Sequence, residues 1–211
     1  GGGSGTIDFG RVGVRESPRS KHNFRSKGIE PSPIPAHTPV AAISISWLGG
    51  ASPKSAFEFK AAMAGIDIAR ASVAAMCAGM LQAGLDTAMP RLMNRNAFGA
   101  PLAEQQGLMW RMADVATDLQ ACRLLAVEAA RQIDANGSAS LAASQAKKFA
   151  TRAAFAGLHA CMQVMGADGL RQDYPLARHL AAAKMAEYLD GTTEIQNLII
   201  GRHLKSTYGQ T

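Results

Sequence analysis

The sequence predicts an all-α protein: an antiparallel four-helix bundle preceded by a Pro/Gly-rich, poorly structured N-terminal segment. Three observations carry this. From Ala56 to Leu204, apolar residues recur at spacings of three and four over long segments, the period of a helix face. Well-marked breaks separate those segments. The connections are short, which favours antiparallel neighbours.

Taken in chain order, residues 1–55 are a basic Pro/Gly-rich tail or the remnant of a middle domain, and residues 56–211 are the helical domain. "GGGSG" at the start reads as flexible linker. "PSPIPAHTP" excludes helix, because each proline removes a donor and restricts its predecessor. Only "VAAISISWLGG" (40–50) reads as a strand, with Ile43, Ile45 and Trp47 alternating with small residues. Helices are expected over about 57–89, 101–135, 140–165 and 193–206, with a shorter piece near 176–188. Pro90 is read as following the first helix, and Pro101 as sitting in the first turn of the second. Asn136-Gly137 marks a helix stop. "GADGLRQDYP" (166–175) is a loop between helices. No period of 20–50 residues repeats, so a solenoid is rejected.

Charge and composition narrow the function classes. The net charge of +6 gathers in the tail, where Arg11, Arg15, Arg19, Lys21, Arg25, Lys27 and Lys54 face only Asp8, Glu16 and Glu30. Basic segments can touch nucleic acid or membranes. This one lacks interleaved aromatics and a basic helical face, so a solvated segment is expected, with no nucleic-acid and no membrane partner. The longest run free of charge and proline, Ala71–Leu85, is shorter than the roughly 18 residues a spanning helix needs. Cys77, Cys122 and Cys161 lie in apolar runs without CxxC spacing, which points to buried free thiols in a reducing, cytoplasmic setting. His22, His37, His159, His179 and His203 share no ligand spacing, so no metal is expected.

One acid raises a functional question. Asp190 precedes Gly191-Thr192-Thr193, and a helix follows it. A carboxylate there is a helix cap or dipole partner by its residue type, or a base held over a substrate. Asp67 and Arg70 read as an i, i+3 surface ion pair.

Four stretches, in order and at matching spacing, resemble the C-terminal helical domain of the acyl-CoA dehydrogenases: "AFEFKAAMAGIDIARASVAA" (56–75), "RNAFGAPLAEQQ" (95–106), "QVMGADGL" (163–170) and "YLDGTTEIQNLIIGR" (188–202). The resemblance implies FAD chemistry on an acyl-CoA thioester: a base takes the α-proton and the β-hydrogen leaves as hydride to flavin. It implies a homo-oligomer, dimer or tetramer, and electron-transfer flavoprotein or a similar acceptor as partner. By that match Asp190 takes the place of the family's catalytic Glu, one methylene shorter. The family's other base position, before Arg70, is Ala69 here. Asp67, Arg70 and Gly191 fall at substrate-binding positions. Arg95, Phe98 and Gln106 fall where a neighbouring subunit's flavin is reached. Gln163 and Gly166 fall along the ADP part of FAD, and Thr192 and Glu194 at contacts with flavin and adenosine.

Departures from the pattern are Ala167 for a Gly, Glu194 for a frequent Gln, and Ala181-Ala182 for an Arg-Asp pair. The expected function is an acyl-CoA dehydrogenase-like flavoprotein. The alternatives are a non-catalytic helical oligomerisation subunit or truncated family fragment, and a flavin monooxygenase of the same superfamily.

Overall fold

A computed structural model describes residues 56–209; the expectations for residues 1–55, including the strand at 40–50, lie outside the described residues. Five helices make up nearly all of this part: α1 (Ala56–Asn94), α2 (Gln106–Asn136), α3 (Ser140–Met165), α4 (Leu176–Ala186) and α5 (Thr193–Tyr208). A hairpin of two-residue strands, β1 (Asn96–Ala97) and β2 (Ala100–Pro101), and a short 3₁₀ turn (Leu102–Glu104) join α1 to α2. A second 3₁₀ turn (Gly166–Leu170) follows α3.

The expected bundle is present, and its contacts fix the directions. Asp67 meets Ala139 at the start of α3, and Arg91 meets Asp168 just past its end. Helices α1 and α3 therefore run parallel, and α2 returns between them. Helix α4 runs back along α3: Leu176 lies near Gly84, and Glu187 reaches Lys147. Helix α5 also packs on α3. Small residues permit the close α1–α3 approach. A Cβ at Gly157 would stand 2.4 Å from Leu81 Cδ1 and 3.3 Å from Val115 Cγ1, so three helices meet where only a hydrogen fits.

The helix boundaries differ from the sequence reading in two places. Helix α1 does not stop at Pro90 but runs through it to Asn94. An interior proline costs a hydrogen bond and about 3 kcal/mol. The extra turn buries Leu92 completely and lets Arg91 pair with Asp168 at 2.9 Å, which offsets that cost. Pro101 is not in the first turn of α2, which begins at Gln106; it ends the hairpin and precedes the 3₁₀ turn. The Asn136-Gly137 stop is as expected, with Gly137 left-handed at φ 73° and its N–H on the Ile133 carbonyl.

The span Ala61–Asn94 is long and apolar enough by composition to cross a membrane. Here its apolarity is divided between a core face, with Val73, Cys77, Leu81 and Ala88 buried, and exposed positions such as Ile68 and Met76. All three cysteines are free and buried. Burial pushes their thiols up, Cys77 to about 12 and Cys122 and Cys161 to about 11.

The packing at Gly157 yields a direct expectation. Gly157→Val places a branched side chain against Leu81 and Val115, and overpacking of this kind costs about 1–3 kcal/mol. Urea denaturation checks it: a lowered midpoint is expected, and an unchanged midpoint contradicts this packing.

Candidate functional site

The predicted site residues fall at two ends of the bundle. Asp67 and Arg70 of α1 lie beside the turn carrying Asp190 and Gly191, with Thr192 and Glu194 opening α5. Arg95, Phe98 and Gln106 sit at the α1–α2 connection. Gln163 and Gly166 lie at the end of α3, which the Arg91–Asp168 pair ties to the same end of the bundle. Along α1 the two groups are separated by about 37 Å, the rise from Arg70 to Arg95 at 1.5 Å per residue.

At the first end, Asp67 and Arg70 are not a surface pair. They are 1% and 4% exposed, and the Arg70 guanidinium meets the Asp67 carboxylate at 3.2 Å. A buried charge persists only when paired and hydrogen-bonded, and each of these has a second bond. The Ala139 N–H donates to Asp67 Oδ2 at 3.2 Å, at the start of α3. Arg70 Nε donates to the Asp190 carbonyl at 3.1 Å. Burial pushes the Asp67 carboxyl up from its ordinary value, and the Ala139 amide and Arg70 pull against it. Burial likewise pushes Arg70 down, opposed by Asp67 and Asp190.

The turn before α5 is held from below through its own backbone carbonyls, which accept from buried side chains. Besides Arg70, Lys147 Nζ donates to the Glu187 carbonyl at 3.2 Å. Gln196 Nε2 donates to the Gly191 carbonyl at 2.9 Å. Three donors from α1, α3 and α5, all buried, therefore pin the turn over 187–191. Asp190 and Gly191 both take positive φ, 51° and 96°, a conformation Asp tolerates better than most residues and Gly adopts freely.

Asp190 is not the cap of α5. That position is Thr192, two residues on, and it makes no side-chain capping bond. The Asp190 side chain is exposed, and among the described residues no hydrogen bond or ion pair is made by its carboxylate. Glu194 is exposed in the first turn of α5. A hydrogen bond from Thr192 and a backbone amide hold its carboxyl below the ordinary value.

At the second end, Phe98 and Gly99 are the central residues of a two-residue hairpin turn, at φ 56° and 85°. That turn type favours Asn-Gly, and positive φ strains a bulky aromatic residue. The Phe98 ring is 95% exposed at the tip. Arg95 is exposed beside it, and no carboxylate pairs with it among the described residues. Gln106 and Gln163 are also exposed. Gly166 takes φ 63°, ψ −142°, a region essentially reserved for glycine. Ala167 has no positive φ and is exposed, so its methyl group meets no backbone constraint.

Where the Arg-Asp pair is replaced, Ala181 is exposed and Ala182 half-buried on α4. No group of three or more His, Cys, Asp or Glu is placed to hold a metal among the described residues.

Sequence reading missed Lys147 and Gln196. The signal for Lys147 is a charge inside the buried stripe Ala143, Ala146, Ala150 and Ala154. Gln196 carries no such signal, because one Gln in a first turn reads as solvated.

The chain matches the family model described as "Acyl-CoA dehydrogenase, C-terminal domain" over residues 59–205. It is 39% identical over 150 residues to the mitochondrial short-chain specific acyl-CoA dehydrogenase of Bos taurus, covering 71% of this chain and 36% of that protein. Butyryl-CoA dehydrogenase from Megasphaera elsdenii is similar in structure, with a TM-score of 0.65 and 31% identity, covering 71% of this chain and 38% of that one. PigA, solved with FAD and proline, is similar with a TM-score of 0.63 and 26% identity, covering 66% of this chain and 36% of that one. The chain spans little more than a third of the length of these relatives.

Removing Asp67 exposes what the buried pair supports. Asp67→Ala leaves the Arg70 charge and the Ala139 amide without their acceptor, and breaking a buried pair from one side costs about 3–5 kcal/mol. Thermal or urea unfolding is expected to show a loss of that size; a loss below about 1 kcal/mol contradicts the buried-pair role.

Proposed function

We infer, because the chain belongs to the acyl-CoA dehydrogenase family through its C-terminal domain, that it supplies the base-bearing helical domain of a flavoenzyme that dehydrogenates an acyl-CoA thioester. The observation carrying this reading is the turn at Asp190. Its backbone is pinned by three buried donors while its carboxylate remains unbonded and exposed among the described residues. A cap spends its side chain on the helix; this one is held by its main chain and keeps its side chain available. A carboxylate so placed accepts the acidic hydrogen on the carbon next to a thioester carbonyl. Arg70 fixes the carbonyl of the same residue, and Gly191 gives the turn its second positive φ.

The exposed groups fit FAD in chemical kind. Phe98 offers a flat ring on a strained turn, suited to lie against adenosine. Arg95 offers an uncommitted fork of donors for pyrophosphate, with Gln106 alongside. Gln163 and Gly166 suit the ADP part, and Thr192 and Glu194 suit groups near the base. FAD, when bound, supplies the acceptor for the β-hydrogen as hydride.

The separation of about 37 Å between the two groups supports a homo-oligomer, in which Arg95, Phe98 and Gln106 serve a neighbour's flavin. Electron-transfer flavoprotein or a similar carrier is the proposed electron acceptor. Residues 1–55 are proposed as a tail or middle-domain remnant outside the helical domain. The likeness to PigA, solved with FAD and proline, favours a second reading in which the substrate lacks CoA.

Asp190→Asn tests the base in the flavin-loaded protein. Asn tolerates the same positive φ, and among the described residues the parent carboxylate makes no hydrogen bond to lose. Unfolding temperature is expected to stay within about 2 °C, consistent with surface substitutions worth at most ~0.5 kcal/mol. Acyl-CoA should still bind, with flavin reduction slowed by about 10²–10⁴-fold. Flavin bleaching at the parent rate eliminates Asp190 as base. Reduction by free amino acids and not by acyl-CoA thioesters selects the second reading.

A further inference from the structure

Lys147 enters the reading above only as a donor that holds the turn, yet it is the largest fully buried side chain among the described residues. Among the described residues its ammonium makes one hydrogen bond, to the Glu187 carbonyl at 3.2 Å. No carboxylate lies within ion-pair distance of it among the described residues. A lysine buried without a paired acid is costly, so its neighbours decide what it does.

The charged and titratable groups facing it are Asp190 and Glu187 from the turn after α4, and Cys77 and Arg70 from α1. Most of these are already committed. Arg70 is paired with Asp67 at 3.2 Å. Glu187 is paired with Lys184 at 2.6 Å. The Cys77 thiol is pushed up to about 12 and is neutral. After these pairings one cation and one anion remain: Lys147 beneath the turn and Asp190 on top of it.

We propose that Lys147 is the positioning residue of Asp190, anchoring the turn through the Glu187 carbonyl and supplying the buried positive charge that the Asp190 carboxylate balances. This rests on reading Asp190 as the base. Burial lowers the lysine below 10.5, and Asp190 is the largest influence opposing that shift. The Asp190 charge thus favours the protonated form of Lys147. Lys147 then acts without touching substrate, and its influence ends when it loses its proton at high pH.

Two measurements separate this from a structural role. In the 211-residue chain carrying ¹³C at lysine Cε, the Lys147 titration is followed in the parent and in Asp190→Asn. The variant is expected to titrate at lower pH, because its charge partner is gone. Identical midpoints overturn the proposal and leave the base reading untouched. In the flavin-loaded protein, flavin reduction by acyl-CoA is recorded against pH for the parent, Lys147→Arg and Lys147→Met. The parent rate is expected to fall at high pH. Arg holds its proton throughout, so Lys147→Arg should carry that fall to higher pH. Lys147→Met should lose about 10- to 100-fold at neutral pH, with no alkaline fall and with thioester binding retained. A parent-like pH profile in Lys147→Arg, or loss of binding and unfolding temperature without a change in profile, overturns it. Should Lys147→Met fail to fold, the Arg profile and the lysine titration decide alone. Flavin reduction at the parent rate in Asp190→Asn sinks the base reading instead, whatever the lysine titration shows.

Discussion

A buried cation must find an acceptor, and in this bundle two of them find it in the main chain of one turn. Arg70 and Lys147 are almost wholly out of solvent, and they donate to the carbonyls of Asp190 and Glu187. Carbonyls at the end of α4 and in the turn beyond it have no partner within their own helix. Each side thus satisfies the other. Asp67 extends the arrangement, since it neutralises Arg70 and accepts the first amide of α3. This one set of bonds ties α1 to the start of α3 and holds both against the turn between α4 and α5.

The arrangement explains how an acid can be fixed in place and remain chemically free. Holding Asp190 by its carboxylate would orient it and also occupy it. Holding residues 187–191 by their carbonyls orients the side chain through the backbone, with positive φ at Asp190 and Gly191 setting its direction. Phe98 follows a related logic at the opposite end. Its backbone is strained at the tip of a tight hairpin, and its ring is almost fully exposed. Strain of that kind persists where the surrounding structure enforces it, here through the pairing of Asn96 with Pro101.

Much of this was legible in the sequence, and the remainder was hidden for definite reasons. Apolar spacing located the five helices, and Asn136-Gly137 marked a true stop. Pro90 misled because a local rule about proline was outweighed by tertiary burial of Leu92 and the Arg91–Asp168 pair. The Phe98-Gly99 hairpin was invisible because strands of two residues leave no alternation to detect. Asp190 stood out in the sequence through its neighbours Gly191 and Thr192. Its support did not: Lys147 lies 40 residues from Glu187, and Gln196, although only five residues from Gly191, reads as a solvated first-turn residue. Asp67 and Arg70 read as a surface pair because i, i+3 spacing says nothing about which side of a helix is covered.

Backbone ¹⁵N relaxation at Tyr188, Leu189, Asp190 and Gly191 is the most direct test that the turn is pinned from below. With carbonyls held by Arg70, Lys147 and Gln196, these amides are expected to be as ordered as those of the helices, with order parameters of about 0.85. Values below about 0.6, typical of flexible loops, would show that the buried donors do not hold the turn, and the positioning of Asp190 described above would be wrong.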